Sequence, residues 1–100
     1  MKVTLKRNMK LKSGREYAEG TKFTLNFDPS GKMELVDADE NKIRFGGRLD
    51  SYFGIKIPSM KTLEKWSEEG YAKSVGGKKV EPDGWDSEGT PSWMILLGMI

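Results

Sequence analysis

The last twenty residues constrain this chain most. Glu81-Pro82-Asp83-Gly84-Trp85-Asp86-Ser87-Glu88-Gly89-Thr90-Pro91-Ser92-Trp93 carries four acids and no base. It runs into Met94-Ile95-Leu96-Leu97-Gly98-Met99-Ile100, where every residue but the glycine is apolar. A chain of 100 residues buries only about two-thirds of its unfolded surface, and it does not leave such a segment in water. The segment must fold in, dock on a partner or enter a membrane. From Trp93 the apolar run is eight residues, and a spanning helix needs about twenty. A membrane span is therefore excluded and a soluble chain expected. Thr90 is a good N-cap, and Pro91 sits where proline is preferred, at the first helical position. Gly98 falls where a left-handed glycine stops a helix, with Met99 able to touch Ile95. The spacing predicts a short terminal helix, Pro91 to Leu97, in preference to a terminal strand. Ile95, Leu96 and Ile100 are expected to be buried, in this domain or in a homodimer of it.

The first half alternates. Val3, Leu5, Met9 and Leu11 fall on one parity, and Lys2, Thr4, Lys6, Asn8, Lys10 and Lys12 on the other, the period of a half-buried strand. Arg7 interrupts the apolar side, which predicts a bend or bulge. Ser13-Gly14 and Glu19-Gly20 mark a loop. Phe23, Leu25 and Phe27, then Met33 and Leu35, then Ile43 and Phe45 mark three more strands. The turns between them are Asp28-Pro29-Ser30-Gly31 and Ala38-Asp39-Glu40-Asn41. Short strands at this spacing predict a small SH3-like barrel or a curved antiparallel sheet over residues 1–57. Arg48 to Ile57 is ambiguous: Leu49, Tyr52 and Phe53 have helical spacing, while Ile55 and Ile57 alternate.

Residues 58–100 read as a helix, a hairpin and the apolar tail, packed on the first part as one domain. Ser59 can cap a helix that places Met60, Leu63 and Trp66 on one face and stops at Gly70. Gly76-Gly77 between two β-compatible runs predicts a tight hairpin, and Pro82-Asp83-Gly84 a turn. The fold class is α+β, mainly β. No internal repeat is evident.

The chain has no cysteine and no histidine. Disulfides, a thiolate nucleophile, a histidine base and any metal site needing those ligands are excluded. Missing cysteines fit a cytoplasmic chain, and charge interrupts Met1 to Arg7 too early for a signal peptide. Asp37-Ala38-Asp39-Glu40-Asn41 starts like a calcium loop, but Lys42 and Arg48 stand where that loop needs glycine and glutamate. A hairpin turn is the better reading. Glu81, Asp83, Asp86 and Glu88 have no spacing that defines a metal or acid–base site, and read as a solvated loop. Gly76-Gly77-Lys78-Lys79 lacks the P-loop spacing. No enzyme, cofactor or metal is expected.

Net charge is +2, but its distribution is uneven. Met1 to Arg15 holds six bases and no acid, whereas Val80 to Ile100 holds four acids and no base. A basic strand face of this kind meets phosphate or an acidic protein. Trp66 and Trp93 read as core, and Trp85, between Gly84 and Asp86, as exposed. Ser59 to Val80, about a fifth of the chain, resembles the recognition helix and wing of excisionase-type winged helices. It has the Thr62-Leu63-Glu64-Lys65-Trp66 helix, Gly70 and a basic glycine-tipped hairpin. That resemblance implies that Lys61, Thr62 and Lys65 face a major groove, and that Lys73, Lys78 and Lys79 touch phosphates. It also asks for a preceding helix, for which Arg48 to Lys56 is a candidate; the β-rich first half is no part of that family, and Glu64, Glu68 and Glu69 count against DNA. The whole chain looks like small uncharacterised phage and mobile-element proteins. Those often end in Glu-Pro-Asp-Gly, then Pro-Ser-Trp and an apolar tail, as Glu81 to Gly84 and Pro91 to Ile100 do.

The leading expectation is a non-enzymatic binding module of phage or mobile-element type. It would contact nucleic acid through Lys6, Lys10, Lys12, Lys61, Lys65, Lys73, Lys78 and Lys79. The rival is a protein-binding adaptor or an inhibitor of a host system, using Tyr52, Tyr71, Trp85 and Asp86. An SH3-type shape serves both and does not choose. The first expectation requires that Lys6, Lys10, Lys12, Lys73, Lys78 and Lys79 share one surface.

Overall fold

The computed structural model describes residues 1–100. Its elements in chain order are β1 (Lys2–Thr4), β2 (Met9–Lys10), β3 (Glu16–Tyr17), β4 (Lys22–Phe27), β5 (Met33–Val36), β6 (Lys42–Phe45), α1 (Leu49–Phe53), α2 (Met60–Glu69), β7 (Ala72–Lys73), β8 (Lys79–Val80) and α3 (Trp93–Leu96). The alternating residues of the first half build an antiparallel sheet in the order β1-β4-β5-β6. Register places Val3 opposite Phe23, Leu25 opposite Leu35 and Leu35 opposite Ile43, so the apolar set shares one face. β2–β3 and β7–β8 are separate two-stranded hairpins.

The sheet is open, not a barrel, because β1 and β6 remain unpaired edges. The ambiguous segment after β6 explains this. It turns into α1, and Phe53 packs edge-on against Phe23 and Phe45, with ring centroids 6.2 and 5.3 Å apart. A helix thus covers the apolar face that closure would otherwise have covered. One cluster of sixteen buried residues runs from Val3 to Met94 and takes in both parts of the chain.

The expected bend falls at Lys6–Arg7 and splits the first strand into β1 and β2. The Lys6 amide donates to the Tyr52 carbonyl at 2.7 Å, and the Arg7 guanidinium lies 4.9 Å over the Tyr52 ring. β3 sits inside the segment expected to be loop. Its two residues are too few to show a period, but Tyr17 packs edge-on to Phe23 at 5.0 Å.

Ser59 caps α2, its Oγ accepting from the Thr62 amide at 3.2 Å, and Gly70 ends it with φ of 76°. Leu63 and Trp66 are buried, but Met60 is 62% exposed. It begins the helix, where its side chain has no neighbouring turn and no core to rest on.

The tail departs most from expectation. Ser92, not Thr90, caps α3, accepting from the amides of Met94 and Ile95. Pro91 is not helical: it bridges to Trp85, and its carbonyl accepts from the Val75 amide at 2.9 Å. Gly98 does stop the chain, with φ of 71°. Its amide reaches Ile95 and that of Met99 reaches Met94, the paired bonds of a Schellman ending. Trp93 and Met94 are buried, Ile95 and Leu96 only half-buried, and Ile100 is 64% exposed. A helix of four residues turns just one side to the core, so it cannot bury every apolar residue it carries.

One turn recurs through the chain. Asp28, Asp37 and Asp86 each open a five-residue hairpin loop. The aspartate Oδ1 accepts from the amides two and four residues on, at 2.9–3.0 Å. The fourth residue has positive φ: Gly31 at 88°, Glu40 at 64° and Gly89 at 81°. This is a type I turn closed by a left-handed residue. Ser74 opens a fourth copy, in which its Oγ accepts from the Lys78 amide at 3.1 Å and Gly77 takes φ of 89°. The β7–β8 turn is therefore Ser74 to Lys78, not a two-glycine reversal. Leu11 to Arg15 repeats the backbone pattern without an acceptor side chain on its first residue.

Candidate nucleic-acid interface

The bases singled out in the sequence occupy opposite ends of an elongated molecule, 44 × 23 × 20 Å. Lys10 and Lys12 ride on the β2–β3 hairpin and its tip. The Tyr17 hydroxyl of that hairpin donates to Asp37 at 2.8 Å, which fixes it beside the β5–β6 turn. Lys73, Lys78 and Lys79 ride on the β7–β8 hairpin, which packs on α3. Ile95 of α3 packs against Gly31, in the β4–β5 turn at the other end of the sheet. Lys6 lies against Gly54, after α1. Lys61 and Lys65 are exposed on α2 among Glu64 and Glu68. Lys6, Lys10, Lys12, Lys73, Lys78 and Lys79 do not form one surface, so the requirement set by the sequence fails for them as a group.

Many of them also face carboxylates. Lys10 pairs with Glu16 at 3.9 Å, Lys65 with Glu69 at 4.0 Å and Lys78 with Glu88 at 3.5 Å. Lys79 sits 4.7 Å over the Tyr71 ring. Such exposed pairs add little stability, but they lower the local positive potential.

The polar face of the sheet differs. Its cross-strand rows are Lys2–Thr24–Val36–Lys42 and Asn26–Glu34–Arg44, with Lys22 opposite Thr4. Lys2, Lys22, Lys42 and Arg44 are all exposed, and none is in an ion pair. Lys2 Nζ donates to Thr24 Oγ1 at 3.1 Å, fixing one ammonium over the sheet. Glu34 is the lone acid on these rows. The alternation in the first ten residues already pointed Lys2 outward. Lys22, Lys42 and Arg44 were missed because strand pairing, not sequence distance, sets them beside it.

The residues expected to meet a protein are largely engaged within the fold. Tyr52 lies under Arg7 and Tyr71 under Lys79. The Glu69 carboxylate beside Tyr71 pushes its hydroxyl pKa up. Trp85 is 38% exposed and bridges to Pro91. Asp86 is a hub, not a contact residue. Ser74 Oγ donates to its Oδ2 at 2.6 Å, Thr90 Oγ1 donates to the same oxygen, and two amides donate to Oδ1. Burial opposes ionisation, but the bonds from Ser74 and Thr90 outweigh it and hold the Asp86 pKa at about 2. A carboxylate so acidic is a poor base at neutral pH, and Ser74 is fully buried, so this Ser–Asp pair is suited to structure, not to nucleophilic attack.

Asp28 and Asp37 follow the same pattern. The Ser30 hydroxyl and the Lys32 amide lower the pKa of Asp28. For Asp37, burial works against ionisation, but Asn41 and Tyr17 prevail and its pKa falls. Every buried side-chain polar atom has a partner, and no three carboxylates are placed to hold a metal ion. No helix is long and apolar enough to cross a membrane. Set beside known proteins, the chain matches no family model, no curated protein and no solved structure.

Proposed function

We propose that the chain is a small non-enzymatic binding module, of phage or mobile-element type, that contacts nucleic acid through the polar face of its four-stranded sheet. One observation carries this reading: Lys2, Lys22, Lys42 and Arg44 stand exposed and unpaired on a regular surface whose strands contribute a single acid, Glu34, with Glu88 of the Asp86 turn bordering it beside Lys2 and Thr24. Phosphates neutralised there would release condensed counterions, so binding would weaken steeply with salt. The α2 face offers less, because Lys61 and Lys65 alternate with glutamates.

Fluorescence anisotropy of labelled oligonucleotides at low salt tests the reading. K42E/R44E is expected to weaken binding by at least about tenfold, and K73E/K79E by less than about threefold. The absence of any binding to duplex or single strands at low salt sinks the proposal.

A second reading has its own observation. Leu97, Met99 and Ile100 lie exposed in succession at the end of α3, a placement that suits an apolar protein partner. A partner held by the full chain and released by L97S/M99S/I100S supports it. A partner held equally by both counts against it.

A further inference from the structure

We propose that the nucleic acid taken by this face is double-stranded and is held by its backbones alone, an inference that rests on the reading of the sheet given above. The four cations stand in two pairs on either side of β5. Lys2 on edge strand β1 and Lys22 on inner strand β4 are diagonal neighbours, and Lys42 and Arg44 stand two residues apart on edge strand β6. Residues two apart on a strand are separated by about 6.7 Å; β1 and β6, three strand spacings apart, by about 14 Å; and β4 and β6, two spacings apart, by about 9.5 Å. Between the pairs the floor holds Thr24 and Val36 and no cation, and Gly76 and Glu88 border it beside Lys2 and Thr24.

Single strands are gripped another way. A continuous cationic groove follows one backbone, and aromatic rings stack on its bases. Here Phe23, Phe27 and Phe45 all lie on the opposite face, toward the core. One backbone passing over this surface meets one cation pair and no ring. Two backbones flanking a groove meet both pairs. B-form grooves are about 6 and about 12 Å wide, and flexible lysine stems bridge the difference to the edge separation. Thr24 and Val36 are too short to reach base edges between the rims, so the binding carries no sequence information.

Anisotropy titrations of two duplexes of unrelated sequence, and of their separated strands, test this across a salt series. Each duplex is expected to bind at least about tenfold tighter than its strands. Four phosphate contacts give a slope of log K against log salt of about −3.6, falling to about −1.8 in K22A/K42A. Circular dichroism checks that this variant is folded. Single strands binding as tightly as duplex overturns the inference and leaves the nucleic-acid reading standing. A tenfold preference between the two duplexes overturns backbone-only recognition, and an unchanged slope in K22A/K42A overturns the assignment to this face. If no nucleic acid binds, both proposals fall.

Discussion

Asp86→Ala is expected to cost about 3 kcal/mol of stability. It removes the acceptor for two hydroxyls and two amides at once, and the two hydroxyls belong to Ser74 and Thr90, which are fully buried. Those donors then have neither the carboxylate nor water. Each buried group left unmatched costs about 1–3 kcal/mol. In a domain of this size, 1 kcal/mol corresponds to about 4–8 °C in Tm, so thermal melts should separate the variant by more than about 12 °C. Asp83→Ala is the control. Asp83 is exposed and makes no side-chain hydrogen bond, so its loss should stay within about 0.5 kcal/mol.

Acid titration adds a signature that truncation alone lacks. The folded pKa of Asp86, about 2, lies below the unfolded value of about 3.9. The hub's contribution is therefore complete above about pH 4 and is lost as pH falls toward 2, amounting to about 2 kcal/mol. Asp86→Asn keeps an oxygen for the amides and should lose less than alanine. Its stability should also fall less over that acid range. If D86N and the parent chain lose stability in parallel between pH 4 and pH 2, another group carries the acid response.

Trp93→Ala is expected to cost about 3–5 kcal/mol. Trp93 opens α3, is buried, and belongs to the same core cluster as Leu63, Trp66 and Phe23. Four-residue α3 cannot stand alone, so its indole and Met94 are what anchor it against β7. Removing the ring leaves a cavity that neighbours already fixed by strand pairing cannot fill. Further along the tail the cost is smaller. L97S/M99S/I100S should cost clearly less than W93A, about 1 kcal/mol, because Leu97 and Met99 are 40% and Ile100 64% exposed. Urea denaturation of the two variants measures this division. If the triple variant unfolds as readily as W93A, the end of the tail is core, and no apolar surface there is free for a partner.

Much of the fold was legible because local rules and tertiary packing agree. Phe23, Leu25, Leu35, Ile43 and Phe45 alternate in sequence and line one face of the sheet. Ser59 and Gly70 set the limits of α2 as their chemistry requires. β3 was hidden because Glu16 and Tyr17 gain their strand geometry from β2 and Asp37, and two residues carry no period. Thr90 looked like a cap because its local context suits one. Its hydroxyl is instead turned to Asp86, and Ser92, two residues later, takes the role. The candidate interface divides in the same way. Lys2 could be placed outward from β1 alone, but its grouping with Lys22, Lys42 and Arg44 depends on which strands pair.

By itself the sequence determined the types of most elements, the apolar face of the longer strands, the terminal Gly98 stop, and the absence of cysteine and histidine chemistry. Those follow from period, capping and side-chain inventory, which act within a few residues. Tertiary structure alone decided three things. Covered by α1, the sheet stays open. The lysines of the two hairpins are sent to opposite ends. The acidic tail segment becomes a set of turns locked by Asp86, with Trp93 as its anchor. Each depends on contacts between residues far apart in the chain, where burial and hydrogen bonding outweigh local preference.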